Sequence, residues 1–153
     1  MKIFATILLT GVLVVRLAAQ TPSPTPAPSP EPPLPSAPLR TKLMDLGGVL
    51  SNEGFKMRDR IWSGRIESGK PQRLAVNLFR GNHYWFCLAV DAESEAPAVS
   101  VFGPDGKRLT VTSHREPGLA AGGVTAEATG QYFVQVETGG GPATDFCLLY
   151  LFK

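Results

Sequence analysis

The sequence predicts an all-β protein, a single antiparallel β-sandwich of about eight short strands, and three observations carry that prediction. Residues 73–90, RLAVNLFRGNHYWFCLAV, read as two strands across a short turn. Leu74, Val76 and Leu78 alternate with their neighbours, as do Tyr84, Phe86, Leu88 and Val90, which is the period-two pattern of a pleated strand. Turn signals recur along the chain, and a helical period is nearly absent. The region after the leader and linker is long enough for a real core.

In order along the chain, Lys2 precedes thirteen apolar or small residues, 3–15, followed by Arg16 and Leu17-Ala18-Ala19-Gln20. A bilayer span needs about 20 apolar residues. Residues 1–20 therefore read as a secretory signal peptide cleaved after Ala19 or Gln20, with Arg16 leaving an uncleaved anchor as the alternative. Residues 21–38 hold nine prolines in eighteen positions and read as an extended polyproline linker. The folded domain is expected over residues 39–153.

Residues 39–54 are ambiguous, because apolar Leu43, Met44, Leu46, Val49 and Leu50 are interrupted by Gly47-Gly48. An edge strand and a short turn of helix both fit. From Phe55 to Ile66 apolar residues alternate with Lys56, Arg58 and Arg60, which predicts a half-exposed strand with a basic outer face. The central pair follows as a hairpin through Arg80-Gly81-Asn82-His83, where Gly81 and Asn82 suit the positive φ of tight loops. Its second strand is apolar in both registers, so Trp85, Cys87 and Ala89 require a second cover or form an exposed stripe. Beyond it come a strand at 98–102, a Gly103-Pro104-Asp105-Gly106 turn and a returning strand at 107–112. A long mobile loop is expected at 113–123, a short strand at 124–128, and further strands at 131–137 and 145–152.

Charge limits the partners. Without Lys2 and Arg16 the 15 basic residues fall to 13, equal to the 13 acids, so the exported chain is neutral. A neutral chain has no field to gather nucleic acid or anionic membrane. The halves differ, however: residues 40–80 carry nine basic and four acidic side chains, residues 91–153 four and eight. Either strands from the two halves pair their charges across a sheet, or the surface is bipolar and docks a partner. Cys87 and Cys147 are the two cysteines. In an oxidising compartment such a pair predicts a disulfide, which would close 59 intervening residues and contribute roughly 4 kcal/mol. Buried free thiols are the alternative.

Chemistry is sparse. A hydrolytic triad needs a nucleophile, a histidine and an acid, and only His83 and His114, the latter two residues from Glu116, are available. The sequence therefore predicts no enzyme. Asp91, Glu93 and Glu95 alternate after the central strand and, if extended, point the same way, so calcium is the one cofactor left open. A solvated acidic loop is the plainer reading. Trp62, Trp85 and Phe133 fall opposite the best core positions. On one face they would form an aromatic platform for sugar rings or a protein, whereas under the segment 43–55 they would be plain packing.

The order of SGRIESGKPQRLAVNLFRGNHYWFCLAV, VSVFGPDGKRL and ATGQYFVQVETGGGPATDFCLLY resembles the bacterial pre-peptidase C-terminal domain, over residues 61–152. That resemblance implies a jelly-roll-like sandwich and a non-catalytic module, of a kind usually appended to secreted hydrolases, that assists secretion or binds a polymer. No catalytic partner is expected alongside it here, where the residues read as signal, linker and module alone. The calcium site of some relatives lies in acidic residues near the module's start, where this chain is basic. The expected function is thus an exported binding module, periplasmic, surface-bound or extracellular, for a polymer or a secreted protein. An adaptor or inhibitor of a secreted hydrolase is the second reading, and a small secreted hydrolase a distant third.

Overall fold

The structure, a computed structural model, describes residues 36–67, 69–91, 97–109 and 112–153. The stretch expected to be a signal peptide, residues 1–20, and nearly all of the expected linker lie outside them. The elements are α1 (Ala37–Asn52), β1 (Lys56–Met57), β2 (Trp62–Ile66), β3 (Gln72–Leu78) and β4 (His83–Val90). They continue with β5 (Ala98–Phe102), β6 (Thr112–Glu116), β7 (Leu119–Thr125), β8 (Gly130–Glu137) and β9 (Thr144–Phe152). All strand pairs are antiparallel. The large sheet runs β1-β9-β4-β7-β6, with β2 also on β9, and the small sheet runs β3-β8-β5. The all-β sandwich expected from the alternation is the observed architecture.

Its core follows from that alternation. Val76 and Leu78 of β3, Val99 and Val101 of β5, and Tyr132, Val134 and Val136 of β8 meet Phe86, Leu88, Val90, Phe146 and Leu148 of the large sheet. Burying side chains of this size contributes about 1.5 to 3 kcal/mol each. Tyr132 also closes a corner: its hydroxyl donates to the Ala128 carbonyl at 2.9 Å, a device that recurs in β-sandwiches.

The central pair is pleated as expected, but it is not a hairpin. β3 pairs with β8, whereas β4 pairs with β7 and β9 in the other sheet. Between them the chain crosses the core. The Tyr84 hydroxyl accepts from the Phe79 N–H at 2.9 Å, and the Gly81 N–H, at φ +85°, donates to Ala126 at 2.8 Å. Turn chemistry alone does not separate a hairpin from this arch, because both strands present the same apolar parity to a core that lies between two sheets.

Residues 37–52 form a helix straight through Gly47-Gly48. Leu39, Leu43, Gly47 and Leu50 recur on one face and are buried. A Cβ on Gly47 would lie 2.6 Å from Met57 Cε and 3.8 Å from Leu149, so the glycine is where the helix touches the sheet. Close packing outweighs the roughly 1 kcal/mol that glycine costs a helix.

Other boundaries shift as well. The single basic strand of residues 55–66 is two strands, β1 and β2, both lying on β9 and joined through an Arg58 N–H to Tyr150 carbonyl bond of 3.1 Å. Of the strand expected at 107–112, residues 110 and 111 lie outside the described residues; Arg108 bridges Phe102, the Leu109 N–H donates to the Val101 carbonyl at 2.9 Å, and Thr112 begins β6. The expected mobile loop at 113–123 is instead the β6–β7 hairpin. Its Ala-Ala-Gly-Gly run has little strand propensity of its own, but the small residues leave room for larger neighbours. Val99 packs within 3.6 Å of where a Gly122 Cβ would be. The strand expected at 124–128 is only the end of β7, at Thr125.

Candidate functional site

The six-stranded sheet has a second face, and α1 lies on it. Leu39, Leu43 and Leu50 pack on Cys87, Ala89, Cys147, Leu149 and Leu151, with Phe55 beside them. The second strand of the central pair therefore has the second cover that its apolar odd register demanded. The helix contacts β4, β9 and β1. Beside the helix, over β7, the face stays open as a groove of about 550 Å³.

Each wall of the groove has a local cause. Leu46 and Val49 of α1 form one side, and Val49 is 59% exposed. Leu119 and Ala121 of β7 and the half-buried Trp85 of β4 line the base. Trp85 lies in register with Gly123, and a Cβ there would stand 3.0 Å from the indole Cε2. The absence of a side chain on Gly123 thus lets the ring lie flat on the sheet. His114 and Glu116, side by side on the edge strand β6, form the far rim with the imidazole Nε2 3.0 Å from the carboxylate Oε1. Lys42 and Asp45 of α1, with Glu53 just past its end, complete a charged rim around an apolar base.

Chemically, the groove sets a charged rim around an apolar base. The acid expected to accompany His114 is present as Glu116, but no serine, threonine or cysteine is among the described residues that line the groove. A second, more polar cleft of about 770 Å³ lies by the Pro104-Asp105 turn, between Arg108 and Glu127. No cluster of three or more potential metal ligands occurs among the described residues.

The aromatic platform is not assembled. Trp62 lies opposite Leu148 and faces inward, stacked on Tyr150 at 5.4 Å, with the Arg60 guanidinium 5.3 Å over its ring. Phe133 lies between Ala75 and Phe102 on the outer face of the small sheet. Trp85 alone lines the groove, partly under the 43–55 segment as the packing alternative held. Parity along one strand does not say which sheet a strand joins, so three residues of matching parity reached three different places.

The disulfide is likewise absent. Cys87 and Cys147 are free and buried. Their strands do pair and both side chains point toward the helix, but Cys87 lies opposite Leu149 and Cys147 opposite Ala89. The two residues are diagonal neighbours across the pair, a spacing of about 7 to 8 Å where a bridge tolerates Cα separations up to about 6.8 Å. Burial pushes the Cys87 thiol up to about 12. Burial and then the nearby Asp145 push Cys147 up to about 11. Both are inert thiols at neutral pH.

Of the acidic trio, Asp91 is exposed at the end of β4, its N–H bonded to the Asp145 carbonyl at 3.1 Å. Glu93 and Glu95 lie outside the described residues. His83 stands edge-on to Phe55 at 5.8 Å with its Nδ1 2.9 Å from the Thr125 hydroxyl, which is a packing role. Cross-strand charge pairing is realised by Arg65 and Asp145, in register and 3.8 Å apart. The groove itself could have been glimpsed in the sequence through the small-residue run 120–123 opposite Trp85. That requires knowing that β4 pairs with β7. No family model and no curated protein matches the chain.

Proposed function

We propose that the chain is an exported, non-catalytic binding module of the pre-peptidase C-terminal type, and that it holds a polysaccharide strand in the groove beside α1. The observation that carries this reading is the pairing of a flat-lying Trp85 with a rim of Asp45, Glu53, His114, Glu116 and Lys42. A sugar ring has an apolar face and a polar edge. An indole base stacks against the first, and carboxylates, imidazole and ammonium take hydrogen bonds from or give them to the second. The apolar leader and proline-rich linker support export and a tether.

The test is an NMR titration of the full chain with soluble neutral oligosaccharides, namely a β-glucan series and a chitin series. The Trp85 indole N–H is expected to shift while that of Trp62, stacked on Tyr150 and outside the groove, stays still. Trp85→Ala is expected to weaken binding at least tenfold. Shifts that spread over exposed charges and spare Trp85 would assign the chain to a protein partner, such as a secreted hydrolase. No binding by either oligosaccharide series would remove the glycan reading.

A further inference from the structure

The opposite edge of the large sheet has different chemistry. Along β1 and the break before β2 stand Lys56, Arg58 and Arg60, all exposed. Arg58 lies 5.1 Å over the Phe152 ring and Arg60 lies 5.3 Å over Trp62. Lys56 is in register with Phe152, on the same side of the strand. Phe152 and Trp62 are the outer ends of an aromatic stack that runs through Tyr84 and Tyr150, with ring centroids 5.4 to 6.3 Å apart.

None of these three cations forms an ion pair with a carboxylate among the described residues, in contrast to Arg65, Lys70, Lys107 and His114. Asp59 is the one acid in the run. A guanidinium laid on a ring is partly immobilised before any ligand arrives, and its outer N–H fork stays turned to solvent. Such a fork matches carboxylate and sulfate oxygens two at a time. Pre-ordering lowers the entropy lost on binding.

We propose that this edge binds an anionic polysaccharide, a sugar chain carrying carboxylate or sulfate groups along its length. The site lies across the large sheet from the groove and uses none of its residues, so it stands whether or not the groove holds a glycan. Three local cations in a chain that is neutral from residue 21 onward provide contact charge without the broad field that gathers nucleic acid. The exposed large apolar side chains among the described residues are Val49 and Phe79, neither on this edge, so nothing here wedges into a bilayer. The break between β1 and β2 also interrupts the row of backbone groups that an added peptide strand would need.

The experiment is calorimetric titration of the full chain with polygalacturonate, dextran sulfate and uncharged dextran, at low and at raised salt. The two charged polymers tell carboxylate from sulfate. Binding to at least one of them is expected, weakening as salt rises, with none to dextran. Lys56→Gln, Arg58→Gln and Arg60→Gln combined are expected to cost at least tenfold, while Trp85→Ala leaves this binding unchanged. Should the triple variant unfold, the double variant Arg58→Lys, Arg60→Lys keeps the charge but loses the fork, and a several-fold loss is expected. Any of four results overturns the proposal: no charged polymer binds, dextran binds equally, the folded variants bind like the parent, or single-stranded DNA or anionic vesicles bind as tightly as the polysaccharides.

Discussion

The two faces of the six-stranded sheet are made by the same strands, and they differ in what covers them. On the inner face Tyr84, Phe86, Leu88 and Val90 of β4 meet a second sheet, and every one is buried. On the outer face Trp85, Cys87 and Ala89 of the same strand meet one helix. A helix is about 10 Å across and strands lie about 4.8 Å apart, so one helix covers about two strands. Here those are β4 and β9, with the short β1 at one end. The groove over β7 is what the width of a sheet leaves uncovered by the width of a helix. Stability therefore belongs chiefly to the inner face, and the proposed recognition to the margin of the outer one.

The largest expected effect tests the inner face. Phe86→Ala removes a wholly buried ring between the sheets and is expected to cost about 3 to 5 kcal/mol, or to prevent folding. Urea denaturation followed by circular dichroism measures it. Leu43→Ala, equally buried but under the helix, is expected to cost less, about 2 to 3 kcal/mol, because α1 can settle toward the small residues below it. Equal losses at the two sites would break the comparison.

The inner face was the legible one. Alternation at Leu74, Val76 and Leu78 and at Tyr84, Phe86, Leu88 and Val90 placed these residues in a core without knowledge of which strands pair. Everything that depended on pairing was harder. The arch at residues 79–82 resembles a hairpin turn because Gly81 serves either. Gly47-Gly48 resembles a helix breaker until Met57 and Leu149 are seen against it. About the outer face, the sequence required a cover for Trp85, Cys87 and Ala89 and offered residues 43–55 as one candidate, without separating a helix there from an edge strand. The helix through Gly47-Gly48, and the groove at its margin, come from contacts between residues far apart in sequence.

A middle-sized effect comes from the two thiols beneath the helix. In the unfolded chain they ionise near the ordinary thiol value of 9.0, in the folded chain at about 12 for Cys87 and about 11 for Cys147. Between these values the unfolded state has lost protons that the native state keeps, so stability present below pH 9 falls as pH rises. A loss of about 2 kcal/mol for each thiol from pH 9 to 11 is expected. Urea midpoints across that range measure it, and Cys87→Ala should flatten the slope. At neutral pH neither thiol should react with Ellman's reagent until the protein unfolds. Rapid reaction of the native protein would mean that α1 opens readily and that the outer face is looser than its packing implies.

The smallest change in stability should carry the largest change in the groove. Gly123→Ala places a methyl group 3.0 to 3.3 Å from three atoms of the Trp85 indole, and the neighbours of the ring must give by a few tenths of an ångström. The cost is expected to be about 1 kcal/mol, within the range for a tight but yielding contact. The ring, however, must lift from the sheet into the space between α1 and β6. Trp85 fluorescence should shift accordingly, with Trp62→Phe used to isolate its signal, and oligosaccharide binding should fall further than the stability loss accounts for. A variant that loses stability but binds as before would show that the flatness of the indole is a matter of packing. One that binds less while staying nearly as stable would place recognition at the margin the helix leaves open.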